Sequence, residues 1–176
     1  MSFFSWLFGN KKKEKMEKRN ILTLQIDDSV VYDDETFLVI GKITYNDSGY
    51  KWYGYHLKGH KRNLWLSASL EEDVKDGIEI GMYEKVAQEV TLPIPKKVSV
   101  ENVTYFLEEK GKARFTHNKG KLGGVETGVV EYWDYESDDD TIYPYVSIEK
   151  WGDFIEISKG YDVYEHELKF KAAVTE

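Results

Sequence analysis

Through most of the chain apolar and polar residues alternate with a period of two, and the alternation breaks at clusters of Gly, Asn, Asp and Ser. That is the pattern of strands buried on one face and joined by tight turns. Ile21, Leu24, Ile26 and Val30-Val31-Tyr32 lead into a first strand, and Asp33-Asp34-Glu35 reads as a turn. Thr36–Ile43 follows as a strand with a bulge or bend at Gly41, and Asn46-Asp47-Ser48-Gly49 makes a hairpin turn. Tyr50–Leu57 pairs back, Lys58–Asn63 turns again, and Leu64–Ser67 is a short strand. After the polar stretch Glu71–Gly77, Ile78–Val86 is another, with Gly81 inside it. The first eight residues differ. On a helix Phe3, Phe4, Leu7 and Phe8 share one face, Trp6 sits at its edge, and Gly9-Asn10 stops it.

Leu92-Pro-Ile-Pro95 is a stiff joint, because proline fixes the backbone and cannot feed a central ladder. Beyond it the sequence repeats. Val31…Phe37-Leu38…Gly41-Lys42-Ile43 matches Val100…Phe106-Leu107…Gly111-Lys112-Ala113, and Trp52-Tyr-Gly-Tyr55 matches Tyr132-Trp-Asp-Tyr135. Trp65-Leu66-Ser67 matches Tyr145-Val146-Ser147, and Ile80-Gly81…Tyr83-Glu84 matches Lys159-Gly160…Tyr164-Glu165. The expected fold is therefore mainly β. Two diverged hairpin-rich repeats pack as small sheets or half-barrels, behind a short N-terminal amphipathic helix. The divisions are a tail at 1–20, one repeat at 21–90, the joint at 91–96, a second repeat at 97–170 and a C-terminal tail at 171–176. A groove between the repeats is the natural place for a ligand.

Composition narrows the chemistry. No cysteine is present, which excludes disulfides, thiolate zinc sites, iron–sulfur clusters and cysteine nucleophiles. Thirteen Tyr, eight Phe and five Trp favour pleated, half-buried surfaces. Residues 1–20 hold six Lys/Arg against two Glu, a balance of +4 within a chain total of −8, so the remainder stands at −12. An acidic body does not suit nucleic acid. No apolar run approaches a bilayer span, and the tail's charges follow its apolar stretch, the reverse of a secretion signal. The expected location is cytoplasmic, peripheral to the inner membrane face.

Trp52-Tyr-Gly-Tyr-His-Leu57 with Leu64-Trp-Leu-Ser67, then Tyr105-Phe-Leu-Glu-Glu-Lys-Gly-Lys-Ala113, then Tyr143–Trp151 with Glu156-Ile-Ser-Lys-Gly160, run in order through the body. This series resembles a bacterial family, domain of unknown function 4178, over roughly residues 24–168. The resemblance brings no catalytic residues. It implies a membrane-proximal or stress-linked role, since members are encoded near membrane, envelope-stress and spermidine-synthase-like genes. Glu108-Glu109-Lys110 departs from the pattern by one extra residue before Gly111.

Motif by motif, the chain assembles no catalytic set. Asp134–Asp140 lacks the Gly and Glu that a calcium loop needs at its sixth and twelfth positions, and reads as a solvated hairpin tip. His56 and His60 flank a β turn rather than share a helix face, and His117 and His166 are isolated. Gly120–Gly128 is followed by a strand, not the helix a phosphate loop requires, so it reads as a flexible connection. Ser67 and Ser147 match across the repeats, with Glu149 beyond the second, and neither has an activating His in sequence. No metal and no cofactor are expected. The tail carries the clearest signal: Phe3, Phe4, Trp6, Leu7 and Phe8 followed by Lys11, Lys12 and Lys13 are the ingredients of an interfacial anchor. The leading expectation is a non-enzymatic adaptor or binding module that meets an anionic membrane surface or a membrane protein through this tail. The alternative is a small-ligand binder, with polyamines as candidates, or an enzyme, using the groove between repeats.

Overall fold

Tight turns decide how the alternating segments pair. Asp33-Asp34 and Glu101-Asn102 take φ of 50°, 56°, 49° and 69°, the left-handed conformation whose twist suits two-residue hairpins. In the computed structural model, which describes residues 18–70 and 77–174, the first turn joins β1 (Ser29–Tyr32) to β2 (Glu35–Asp47). The second joins β6 (Lys97–Val100) to β7 (Val103–Asn118). The strands β3 (Tyr50–Lys58), β4 (Asn63–Leu70) and β5 (Ile78–Lys85) follow β2. In the second half β8 (Val125–Glu136), β9 (Tyr145–Trp151) and β10 (Phe154–Asp162) follow β7, and a short β11 (Lys169–Lys171) comes last.

All neighbours are antiparallel, in the order β11-β1-β2-β3-β4-β5-β10-β9-β8-β7-β6. Apart from β11, which crosses to pair with β1, each half is one run of that order, and β5 meets β10 at the seam between them. A second seam forms where β2 pairs with β7, from Lys42↔Asn118 to Asn46↔Arg114. Together the seams close β2–β5 and β7–β10 into a ring, with β1, β11 and β6 flaring from it. The two halves are half-barrels of one continuous sheet, and closure removes edges that would otherwise stand open.

One device recurs in both halves. β2 carries an extra residue between Val39 and Gly41 in its pairing with β3, and β7 carries one between Leu107 and Glu109 in its pairing with β8. Such a bulge turns the following side chains to the opposite face. Phe37 and Val39 therefore pack outside the ring, in a core with Tyr55, Leu57, Leu64, Leu66 and Met82. Beyond the bulge Ile43 and Tyr45 point inward, into a core with Phe115, Val130 and Tyr132. In the second half Tyr105 and Leu107 lie outside with Tyr135, Val146 and Ile148.

Those outer faces are covered by the connecting segments. Ile21, Leu24, Val163 and Leu168 seal the first half; Val86, Val90 and Ile94 seal the second. Each large apolar side chain so buried contributes about 1.5–3 kcal/mol. The proline joint is thus a lid on the second outer core, and its Pro95 carbonyl accepts a hydrogen bond from Tyr135 at 2.8 Å. Buried Asp28 pins both ends, accepting from Arg19 Nε at 2.7 Å and from the Ala173 amide at 2.8 Å.

The structure departs from the sequence reading in three places. The matched turns equate Phe37 with Tyr105, both buried, and Leu38 with Phe106, both exposed. The apparent match of Phe37-Leu38 to Phe106-Leu107 is therefore one residue out, because consecutive aromatic and apolar residues lie on opposite faces. The glycine-rich stretch 120–128 is only partly a loop. A short 3-10 turn at Gly120–Leu122 leads directly into β8, whose first residues pair with the end of β7. Lys171, taken as the start of the C-terminal tail, pairs with Ser29 at the end of β11. The amphipathic helix over Phe3–Phe8, and Lys11–Lys13 after it, lie outside the described residues.

Candidate functional site

All eight strands of the ring turn side chains into a shared interior, which holds a cavity of about 450 Å³ that opens to solvent. The cavity lies between the two halves, and ladder registers fix its lining. On the β8–β9–β10 wall three cross-strand rows face inward: Asp134–Ser147–Ser158, Tyr132–Glu149–Glu156 and Val130–Trp151–Phe154. On the β3–β4–β5 wall the corresponding rows are Trp52–Ser69–Glu79, Gly54–Ser67–Gly81 and His56–Trp65–Tyr83. The halves match in topology but differ in chemistry. Trp52 pairs with Ser69 as Tyr132 pairs with Glu149, and Gly54 pairs with Ser67 as Asp134 pairs with Ser147. Where the second wall has Asp134 and Glu149, the first has Gly54 and Ser69.

Glycine is needed where rings close over the sheet. A Cβ on Gly160 would stand 2.4 Å from the Tyr83 ring, and one on Gly111 would stand 2.5 Å from the Tyr132 hydroxyl. The space above these positions belongs to the rings themselves. Tyr45 stacks on Trp52 at 4.8 Å and meets Trp151 at 6.1 Å, while Phe115 packs edge-on against Trp151 at 4.7 Å. His56 stacks on Trp65 at 4.6 Å.

Burial governs the charges inside. The Glu149 carboxyl is pushed up to about 7, first by its removal from bulk water and then by repulsion from Asp134 and Glu156. It accepts a long hydrogen bond from the Tyr45 hydroxyl at 3.4 Å. The Trp151 indole N–H favours its charged form but completes no hydrogen bond of normal geometry. Asp134 is likewise pushed up to about 6, mainly by burial, against the effect of a hydrogen bond. That bond comes from the Ser147 hydroxyl at 2.6 Å. Burial also holds His56 and His117 below the usual imidazole range, so both are neutral, and it raises the phenols of Tyr45 and Tyr83. At the rim Lys85 is paired with Glu156 and Lys119 with Glu126. Among the described residues no Lys or Arg pairs with Asp134 or Glu149.

Several residues singled out in the sequence gather here and others do not. Ser67, Ser147 and Glu149 all line the cavity, and no His hydrogen-bonds to either serine. Ser147 donates to a carboxylate instead, which does not make it a nucleophile. His56 lines the cavity, whereas His60 lies in the exposed β3–β4 turn, where its backbone N–H donates to Glu35 at 2.9 Å. His117 is a lining residue and His166 sits in an exposed turn. Of the acidic run, Asp138, Asp139 and Asp140 are exposed, while Asp134 at its start is inside. Among the described residues no group of three or more His, Asp or Glu is arranged to hold a metal ion. The tail residues Phe3, Phe4, Trp6, Leu7, Phe8, Lys11, Lys12 and Lys13 lie outside the described residues.

The buried acids and the indole box were not identified from sequence. Tyr145-Val-Ser-Ile-Glu-Lys-Trp151 does carry the signal: its apolar positions Val146 and Ile148 leave Ser147, Glu149 and Trp151 together on the other face. In a single-layer sheet that face is solvent; in a closed ring it is the interior.

Among the described residues no helix is long and apolar enough to cross a membrane. No curated protein matches the chain, and no solved structure matches it. Residues 25–165, nearly the whole of both half-barrels, match the model of the family described as Domain of unknown function (DUF4178), and the chain belongs to that family.

Proposed function

We propose that this protein is a non-enzymatic binding module that holds a small molecule inside its ring, between the two halves. The observation that carries this reading is the cavity of about 450 Å³, lined by Trp52, Trp65 and Trp151 and by the half-buried carboxyl groups of Asp134 and Glu149, which no cation among the described residues pairs with. Its size falls in the range of about 300–1,000 Å³ usual for small-molecule sites, and a mostly apolar wall with a few placed polar groups is their usual composition. Binding is favoured over catalysis because the lining hydroxyls that meet an acid, Ser147 on Asp134 and Tyr45 on Glu149, have no histidine base beside them. A thermal-shift panel of spermidine, choline, nucleotides and divalent ions tests it, run beside Ser67→Phe, which fills the space between Gly54 and Gly81. A ligand at a hundred times its Kd adds about 2.7 kcal/mol, which raises the Tm by roughly 5–10 °C. The expected result is such a rise in the native chain and its loss in Ser67→Phe. No rise with any compound overturns the reading in this form.

A second reading concerns the tail. The apolar cluster Phe3–Phe8 followed by Lys11, Lys12 and Lys13 supports a peripheral anchor on an anionic membrane at the cytoplasmic face. Liposome co-sedimentation of the full chain against a chain beginning at Asn20 tests it. Pelleting of the full chain alone, with anionic lipid alone, is expected; equal behaviour of the two chains removes the anchor.

A further inference from the structure

Resting on that reading of the cavity, we infer that the ligand is an organic cation, an ammonium-type head group held between Glu149, Asp134 and the aromatic wall of Tyr45, Trp52 and Trp151. Among the described residues four carboxyl groups line the cavity, Glu126, Asp134, Glu149 and Glu156, against two lysines, and both lysines are committed at the rim. His56 and His117 add no charge. An anionic ligand would meet unpaired acids. A neutral one would leave Glu149 and Asp134, each half-buried, without a counter-charge, and removing a carboxylate from water without a partner is costly. A cation removes that cost.

The aromatic lining fits the same ligand. Tyr45 joins the two parts, since its hydroxyl bonds Glu149 while its ring stacks on Trp52 and meets Trp151. Indole and phenol rings attract ammonium groups through their negative faces, most strongly where water is excluded. The asymmetry between the walls sets the orientation. The acids that line the cavity stand on the β8–β9–β10 side, opposite Gly54 and Ser67, and Glu79 of the β3–β4–β5 rows is not among the lining residues. The charged head lies toward Glu149 and Asp134, and the rest of the molecule extends toward the first half.

Binding is then linked to protons. The groups facing Glu149 are Tyr132, Asp134, Glu156, Tyr45 and Trp151, with Lys85 of β5 tied to Glu156. None supplies a free positive charge. A bound cation favours the ionised carboxyl, so binding expels a proton from Glu149 below about pH 7. Affinity rises with pH through that window and levels above it.

The experiment is a tryptophan-fluorescence titration of the full chain with choline and with its neutral carbon isostere, dimethylbutanol. The expected result is saturable choline binding at least tenfold tighter than the isostere. Glu149→Gln is expected to weaken choline tenfold or more without changing the isostere, with Asp134→Asn acting in the same direction. Far-UV circular dichroism and the Tm establish that both variants fold. Native-chain affinity for choline should fall as the pH is lowered from about 8 to about 5. Isostere binding equal to choline's overturns the cation assignment and leaves the cavity reading standing. So does silence toward choline when another compound of the thermal-shift panel binds. Silence toward the whole panel overturns both.

Discussion

Glu149 shows at the scale of one residue what an acid turned into the interior costs the fold that carries it. Its carboxyl is raised from 4.5 to about 7 in the folded chain, so the native state holds a proton that the unfolded state has released. Stability contributed by such a group falls as pH rises through the window from about 4.5 to about 7, and remains lost above it. Glu149→Gln keeps the shape and removes the titration. The variant should therefore match the native chain near pH 4 and exceed it near pH 8 by about 3 kcal/mol. Urea unfolding across that range is the check. A variant that is less stable at high pH would mean that Glu149 is held by a partner in the folded chain. Taken with the expected loss of choline binding, this is the signature of a residue kept for its ligand rather than for packing.

The element scale shows what could be read in advance. Strands, turns and the two-fold repetition were legible, because period-two alternation and turn residues such as Asn46–Gly49 are local signals. The closure of the ring was not, and β2 shows why. Phe37, Val39, Gly41, Ile43 and Tyr45 are all buried, an unbroken alternation along the strand. A uniform pattern of that kind reads as one buried face. Yet the extra residue between Val39 and Gly41 places the first two outside the ring and the last two inside it. Nothing in the spacing marks the switch, since a bulge is defined by the partner strand and not by its own sequence. In β7 the equivalent bulge falls at Glu108, within Glu108-Glu109-Lys110, where the sequence reading expects one extra residue before Gly111. The candidate site was hidden by the same cause. Ser147, Glu149 and Trp151 were visible as a polar face, but only the pairing of β2 with β7 turns that face into an interior.

At the scale of the molecule, everything proposed for the cavity depends on the ring being closed. Two seams hold the halves together. The β2–β7 seam, Lys42–Asn46 against Arg114–Asn118, is the one that joins the flared ends of the sheet. Thr44 and Thr116 face each other across it and point away from the cavity, since Ile43, Tyr45, Phe115 and His117 take the inward positions. The chain has no cysteine, so Thr44→Cys with Thr116→Cys gives a single, unambiguous cross-link. Directly opposed residues of an antiparallel pair have Cα atoms about 4.5–5.5 Å apart, within disulfide reach. Oxidised, the double variant should gain about 2–4 kcal/mol over its reduced form by restricting the unfolded chain. It should keep its ligand response, because no lining residue changes. A bond that forms readily and raises the Tm shows that the seam is closed in solution. If oxidant leaves two free thiols, or the bond lowers the Tm, the ring is held only at β5–β10, with β1–β11 outside it. The interior would then be an open trough, whose buried acids would relax toward ordinary carboxylates and lose their reason to select a cation.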